Sequence, residues 1–138
     1  MTTAEFAAKY CGQKIDYDHA FGPQCVDVFR QYCADVVGCP HTGSVDPEGA
    51  KGLWFQYSQN DEKKYFDRFS PWFIQAGDVA IWDATSTNKY GHVAIVLIAD
   101  NKAKELLVLE QDGFKQDGAK LAIRGYENLI GVLRPKVK

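Results

Sequence analysis

The chain has 138 residues, 46% of them hydrophobic, 13% aromatic and 25% charged, which fits one ordinary folded domain over 1–138. A formal net charge of −2 argues against a nucleic-acid partner, which calls for a basic surface. No apolar run reaches the roughly 18–20 residues that cross a bilayer, and no basic-then-apolar stretch opens the sequence, so neither membrane insertion nor an export signal is expected.

Thr2 followed by Glu5 is a capping-box pattern, and it predicts a short helix over 4–11 that stops at Gly12. A polar, acidic and aromatic loop follows over 13–22. Pro23 then occupies a position tolerated at a helix start. Behind it Cys25, Phe29, Tyr32, Cys33 and Val36 recur at helical spacing as far as Gly38, so a second helix begins close to Cys25. Asp46-Pro47 signals another helix start, leading into Leu53, Trp54 and Tyr57. The second half changes character. Runs at 79–82, 93–98 and 106–109 are β-rich and separated by Gly, Asn and Asp turns, and a last run at 129–133 precedes Pro135. Helices first and strands later predict an α+β domain with an antiparallel sheet.

Of the four cysteines, Cys11, Cys33 and Cys39 read as free, mostly buried thiols. Two disulfides would suit a secreted chain, and Cys33, Cys39 and His41 would make a zinc site, but no signal sequence supports the first and no paired-ligand spacing the second.

Cys25 stands apart because it falls in the opening turn of a helix, where the backbone N–H groups favour a thiolate and can hold the oxyanion of a tetrahedral intermediate. A nucleophilic cysteine also needs a histidine. His19 and His41 lie in loops, whereas His92 opens the most hydrophobic strand directly after Gly91, a rigid support for a base. Glu110 ends the run 106–109 and is placed to fix the imidazole's orientation and tautomer, and Asp112 is an alternative for that role. Each residue alone has an ordinary reading as a buried thiol, a strand-end histidine or a solvated carboxylate.

Ahead of Cys25, Asp16, Asp18 and Asp27 occupy positions 1, 3 and 12 of a loop in which Ala20 and Gly22 offer only main-chain carbonyls. Three carboxylates with carbonyls and waters suit Ca²⁺, although Phe21 stands where an EF-hand loop has glycine and no glutamate closes it. A polar turn in front of a helix whose dipole favours Asp27 is the competing reading.

Taken together, the blocks Asp16–Asp27, Gly77–Trp82, Gly91–Val96 and Leu109–Asp112 resemble the CHAP domain, the cysteine, histidine-dependent amidohydrolase/peptidase family of phage endolysins and bacterial wall enzymes. The resemblance runs from about Tyr10 to Pro135. It implies a papain-like fold of the CHAP and NlpC/P60 type, with N-terminal helices packed on an antiparallel sheet. Cys25 would attack, His92 would take and return the proton, and Glu110 would orient His92. It also implies that Gln24 helps polarise the carbonyl and that Asp16, Asp18, Ala20, Gly22 and Asp27 hold calcium. The family often has Asn where this chain has Asp112, which keeps an acceptor and loses the amide donor. Trp54, Trp72, Trp82 and Tyr90 are candidate groove residues, and Tyr90, next to Gly91-His92, is the one expected to touch substrate.

The resemblance implies a monomeric peptidoglycan hydrolase, an amidase or an endopeptidase, made in the host cytoplasm and acting on the wall after release, as a phage lysin or its catalytic module. Two other readings stay open. One is a catalytically inactive, calcium-dependent wall- or protein-binding module, and the other is a cysteine peptidase or deamidase acting on cytoplasmic proteins.

Overall fold

A computed structural model describes residues 1–17, 24–39, 49–112 and 114–136. Helix α1, Thr3–Tyr10, starts as its sequence dictates: the Thr2 hydroxyl accepts from the Glu5 N–H at 3.1 Å and the Glu5 carboxylate accepts from the Thr2 N–H at 2.9 Å. Helix α2, Cys25–Tyr32, passes into a π-helical turn, Cys33–Val37, that Gly38 ends with φ 79°. The helix expected after Asp46-Pro47 begins outside the described residues. Its continuation is broken into a 3₁₀ turn at Gly49–Lys51, a short α3 at Gly52–Phe55, and further 3₁₀ turns at Tyr57–Gln59 and Asp61–Lys64.

Among the described residues six strands come next: β1 (Phe66–Phe69), β2 (Val79–Trp82), β3 (His92–Asp100), β4 (Glu105–Glu110), β5 (Lys120–Gly125) and β6 (Leu129–Pro135). They form one antiparallel sheet in the order β1-β6-β2-β3-β4-β5. The α+β expectation is therefore met, with two edge strands, β1 and β5, that the sequence pattern does not mark.

Strand β2 is apolar and buried along its whole length because both its faces are covered, and β3 is buried over 93–96. In β2, Val79 and Ile81 join Phe29, Tyr32 and Leu53 in the core beneath the helices, while Ala80 and Trp82 join a second cluster with Val96 and Val108. Each fully buried Leu, Ile or Phe in these layers contributes about 1.5–3 kcal/mol. This packing fixes α2 against β3. The N-terminus of α2 and the first residue of β3 thereby become neighbours.

Candidate active site

Gln24 precedes α2 in extended backbone and its N–H donates to Asp27 Oδ2 at 2.9 Å. Asp27, only 3% exposed, thus sits against the helix start, where a carboxylate complements the dipole. Cys25 is the first residue of the helix and half-buried.

His92 reaches its place through a glycine that nothing else can replace. Gly91 has φ 76°, and a Cβ there would lie 2.5 Å from the Trp82 carbonyl oxygen and 3.1 Å from Lys51 Cβ. The imidazole lies beside the Trp82 ring, with centroids 5.6 Å apart. Its Nε2 is 3.1 Å from Glu110 Oε1, and Cys25 lies near enough to the ring to favour its charged form. With Nε2 directed at a carboxylate, Nδ1 is the nitrogen left for the sulfur.

Glu110 is 1% exposed and held by a second partner. Arg124, from β5, donates Nε to Oε1 at 2.7 Å and Nη2 to Oε2 at 2.5 Å, a bidentate clamp. Burial by itself raises Glu110, but the hydrogen bonds and charges of Arg124 and His92 outweigh it and bring the carboxyl down to about 2. Burial likewise disfavours the imidazolium of His92. Interactions with Cys25 and Glu110 reverse that, lifting it to about 9 from an ordinary 6.5. The site is electrostatically arranged to keep His92 protonated at neutral pH.

These groups open onto a cleft of about 900 Å³ whose walls include Cys25, His92, Tyr90, Trp82, Asp112 and Phe114. Gln24 also lines it. Tyr90 stands half in solvent at the rim, its ring against Gly49, where a Cβ would come within 2.6 Å of the Tyr90 Cβ. Trp82 is buried and donates its indole N–H to the Gly125 carbonyl. Trp54 packs under Arg68 and Trp72, 67% exposed, is outside the cleft lining. Asp112 meets the cleft too, but its carboxylate is used in a turn, accepting from Phe114 N–H at 2.8 Å and Lys115 N–H at 3.3 Å. Among the described residues, the carboxylate on the imidazole is Glu110.

Of the five residues expected to hold calcium, Asp18, Ala20 and Gly22 lie outside the described residues, as do His19 and His41. Asp16 and Asp27 are described. Asp16 Oδ1 is buried without a hydrogen-bond partner, a state that favours a cation over a simple polar turn. Of the two described carboxylates, Asp16 therefore has an oxygen to offer a hard cation.

Two site residues escape a reading of the sequence alone. Arg124 sits on a strand too weakly patterned to read. Gln111 is visible only as the neighbour of Glu110, yet it ties the acidic loop to β4.

Helices packed on an antiparallel sheet, with a cysteine at a helix start and a histidine opening a central strand, define the papain-like class. Residues 14–112 match the family model described as the CHAP domain, and the chain belongs to that family. It is 35% identical over 95 residues to the D-alanyl-L-alanine endopeptidase of Streptococcus phage B30, covering 68% of this chain and 21% of that protein. It is 25% identical over 146 aligned positions to endolysin PlyTW of Staphylococcus phage Twort, covering 98% of this chain and 30% of that one. The chain thus spans less than a third of the curated relatives it matches. The crystal structure of Ly7917 is similar in fold, with a TM-score of 0.74 at 19% identity over 98% of this chain and 62% of the other.

Proposed function

We propose that this chain is the catalytic module of a phage-lysin-type peptidoglycan hydrolase that cuts amide bonds of the wall peptide. One observation carries the reading. His92 is held through Nε2 by Glu110, Cys25 lies near enough to favour its charged form, and both line one cleft. An inactive binding module would not need that constellation kept intact.

In this mechanism the Cys25 sulfur attacks the carbonyl carbon of the scissile amide, and the C=O electron pair moves to oxygen. The oxyanion is received by N–H groups at the start of α2, with the Gln24 side chain as a second donor. His92 then gives its proton to the departing nitrogen, the C–N bond breaks, and an acyl-Cys25 thioester remains. His92, now neutral, takes a proton from water, whose oxygen attacks the thioester and returns the sulfur. Glu110, fixed by Arg124, keeps the imidazole's tautomer and plane through both halves. Tyr90 at the rim contacts substrate, and Asp112 shapes the wall of the cleft.

Asp16, Asp18 and Asp27, with the carbonyls of Ala20 and Gly22, would hold Ca²⁺. The ion would neutralise their clustered charge and so fix the loop ahead of Cys25. The named activity of the phage B30 relative favours an endopeptidase over an amidase. The module acts as a monomer on peptidoglycan, after release from the cell that makes it.

Mass spectrometry of fragments released from a purified Gram-positive wall tests this reading. New peptide N-termini within stem or cross-bridge are expected. Release of intact stem peptides from muramic acid would show the amidase instead, and a wall left undigested would refute the proposal.

A further inference from the structure

Cys11, Cys33 and Cys39 lie outside the cleft and have no part in the mechanism, and the last two are near each other. Cys33 opens the π-helical turn that continues α2, and Cys39 comes directly after the glycine that ends it. The reversal at Gly38 lets both the Gly38 and Cys39 N–H groups donate to the Cys33 carbonyl, at 2.8 and 2.9 Å. With the Cys39 nitrogen that close to the Cys33 oxygen, covalent dimensions hold the two Cα atoms within about 6.8 Å, inside the span a disulfide bridges. The two thiols also lie near enough to shift each other's titration in opposite directions. Both residues are packed in the main core, 3% and 2% exposed, and neither is in a disulfide.

We propose that Cys33 and Cys39 are a redox couple that closes to an intrachain disulfide when the protein meets a low-molecular-weight disulfide. The roles within the pair are unequal. The interaction with the Cys33 thiol lowers Cys39, whereas the same interaction together with burial pushes Cys33 far up. Cys39 is therefore the attacking sulfur and Cys33 the resolving one. With oxidised glutathione as oxidant, the Cys39 thiolate attacks one glutathione sulfur. The S–S bond breaks and one glutathione thiolate leaves, taking up the proton Cys39 had lost. Cys33 then gives up its proton, attacks the Cys39 sulfur of the mixed disulfide and expels the second glutathione. Two protein thiols are oxidised and one small disulfide is reduced to two thiols. The bridge staples the foot of the helix whose other end carries Cys25. A thiol-rich medium keeps it open and an oxidising one closes it.

The test uses the whole chain, equilibrated in glutathione buffers of increasing oxidised fraction, quenched by alkylation and digested with trypsin. Cleavage after Arg30 and Lys51 leaves both cysteines in one peptide, separate from Cys11 and Cys25. That peptide is expected to lose two hydrogens and resist alkylation, and the melting temperature is expected to rise by about 5 °C as the bridge closes. A Cys33→Ser variant should instead carry a lasting glutathione adduct on Cys39. Two alkylated thiols at every ratio, or a lasting adduct in the unaltered chain, would overturn the proposal. So would a bridge that lowers the melting temperature.

Discussion

Gln111 holds Ile15 by both polar atoms of its amide: Oε1 accepts the Ile15 N–H at 2.7 Å and Nε2 donates to the Ile15 carbonyl at 2.8 Å. The same Nε2 also donates to the Gln24 carbonyl at 2.9 Å. One fully buried side chain thus fastens the segment entering the acidic loop and the residue before Cys25 to the end of the strand that carries Glu110.

Replacing Gln111 by Ala removes these bonds and leaves the amide groups of Ile15 buried without partners. The expected loss is about 2–4 kcal/mol of stability, measured by denaturant unfolding. A variant as stable as the parent would show that the tie is incidental.

Glu110 and His92 set an alkaline limit. The partners of His92 raise its pKa to about 9, so the imidazolium's contribution to stability is full below 6.5 and is lost as pH rises through about 9. Activity should fall over the same range as the proton for the leaving nitrogen disappears. Glu110→Gln keeps shape and removes charge, and it should move the alkaline limb of kcat/KM downward. An unmoved limb would detach Glu110 from the histidine's titration.

Arg124 governs the acid side. Glu110 is depressed to about 2, so its stabilising ionisation is complete above about 4.5 and is lost as pH falls through about 2. Arg124→Leu removes the largest of the interactions that lower it. The acid unfolding midpoint should then shift to higher pH, with kcat falling more than KM changes, because His92 loses its orientation. Unchanged acid unfolding would mean that the bidentate clamp contributes nothing.

Calcium is tested through stability. At about 100 times its Kd a bound ion adds about 2.7 kcal/mol. EDTA should therefore lower the melting temperature, added Ca²⁺ should restore it, and Asp16→Ala should abolish the response. A melting curve indifferent to both additions would remove the ion from the mechanism.

Much of the fold is legible in the sequence because the signals are local. The Thr2/Glu5 cap, the helical spacing behind Cys25 and the continuous apolar runs of β2, β3 and β4 each follow from short-range physics. Strand β5 is hidden because Leu121 and Ile123 point to solvent at a sheet edge and are interleaved with Lys120 and Arg124, so no buried face marks it. Strand β1 is only Phe66–Phe69, with one buried residue. With β5 unmarked, Arg124 is hidden too, since its role exists only because β4 and β5 pair. The helix expected across 53–57 is broken at Gln56, where φ −107° and ψ 18° leave the α region and a 3₁₀ turn begins. The chain order of Cys25, His92 and Glu110 is visible, but their meeting depends on α2 packing against β3, a long-range event that spacing alone does not report.

The most direct measurement is site-resolved alkylation. The chain is treated with iodoacetamide under native conditions, the modified cysteine is located by peptide mapping, and wall clearing is followed in parallel. Cys25 should react, and turbidity loss should vanish in proportion to its modification while the fold stays intact. Full clearing by protein whose Cys25 is completely alkylated would contradict a thiol mechanism at this site.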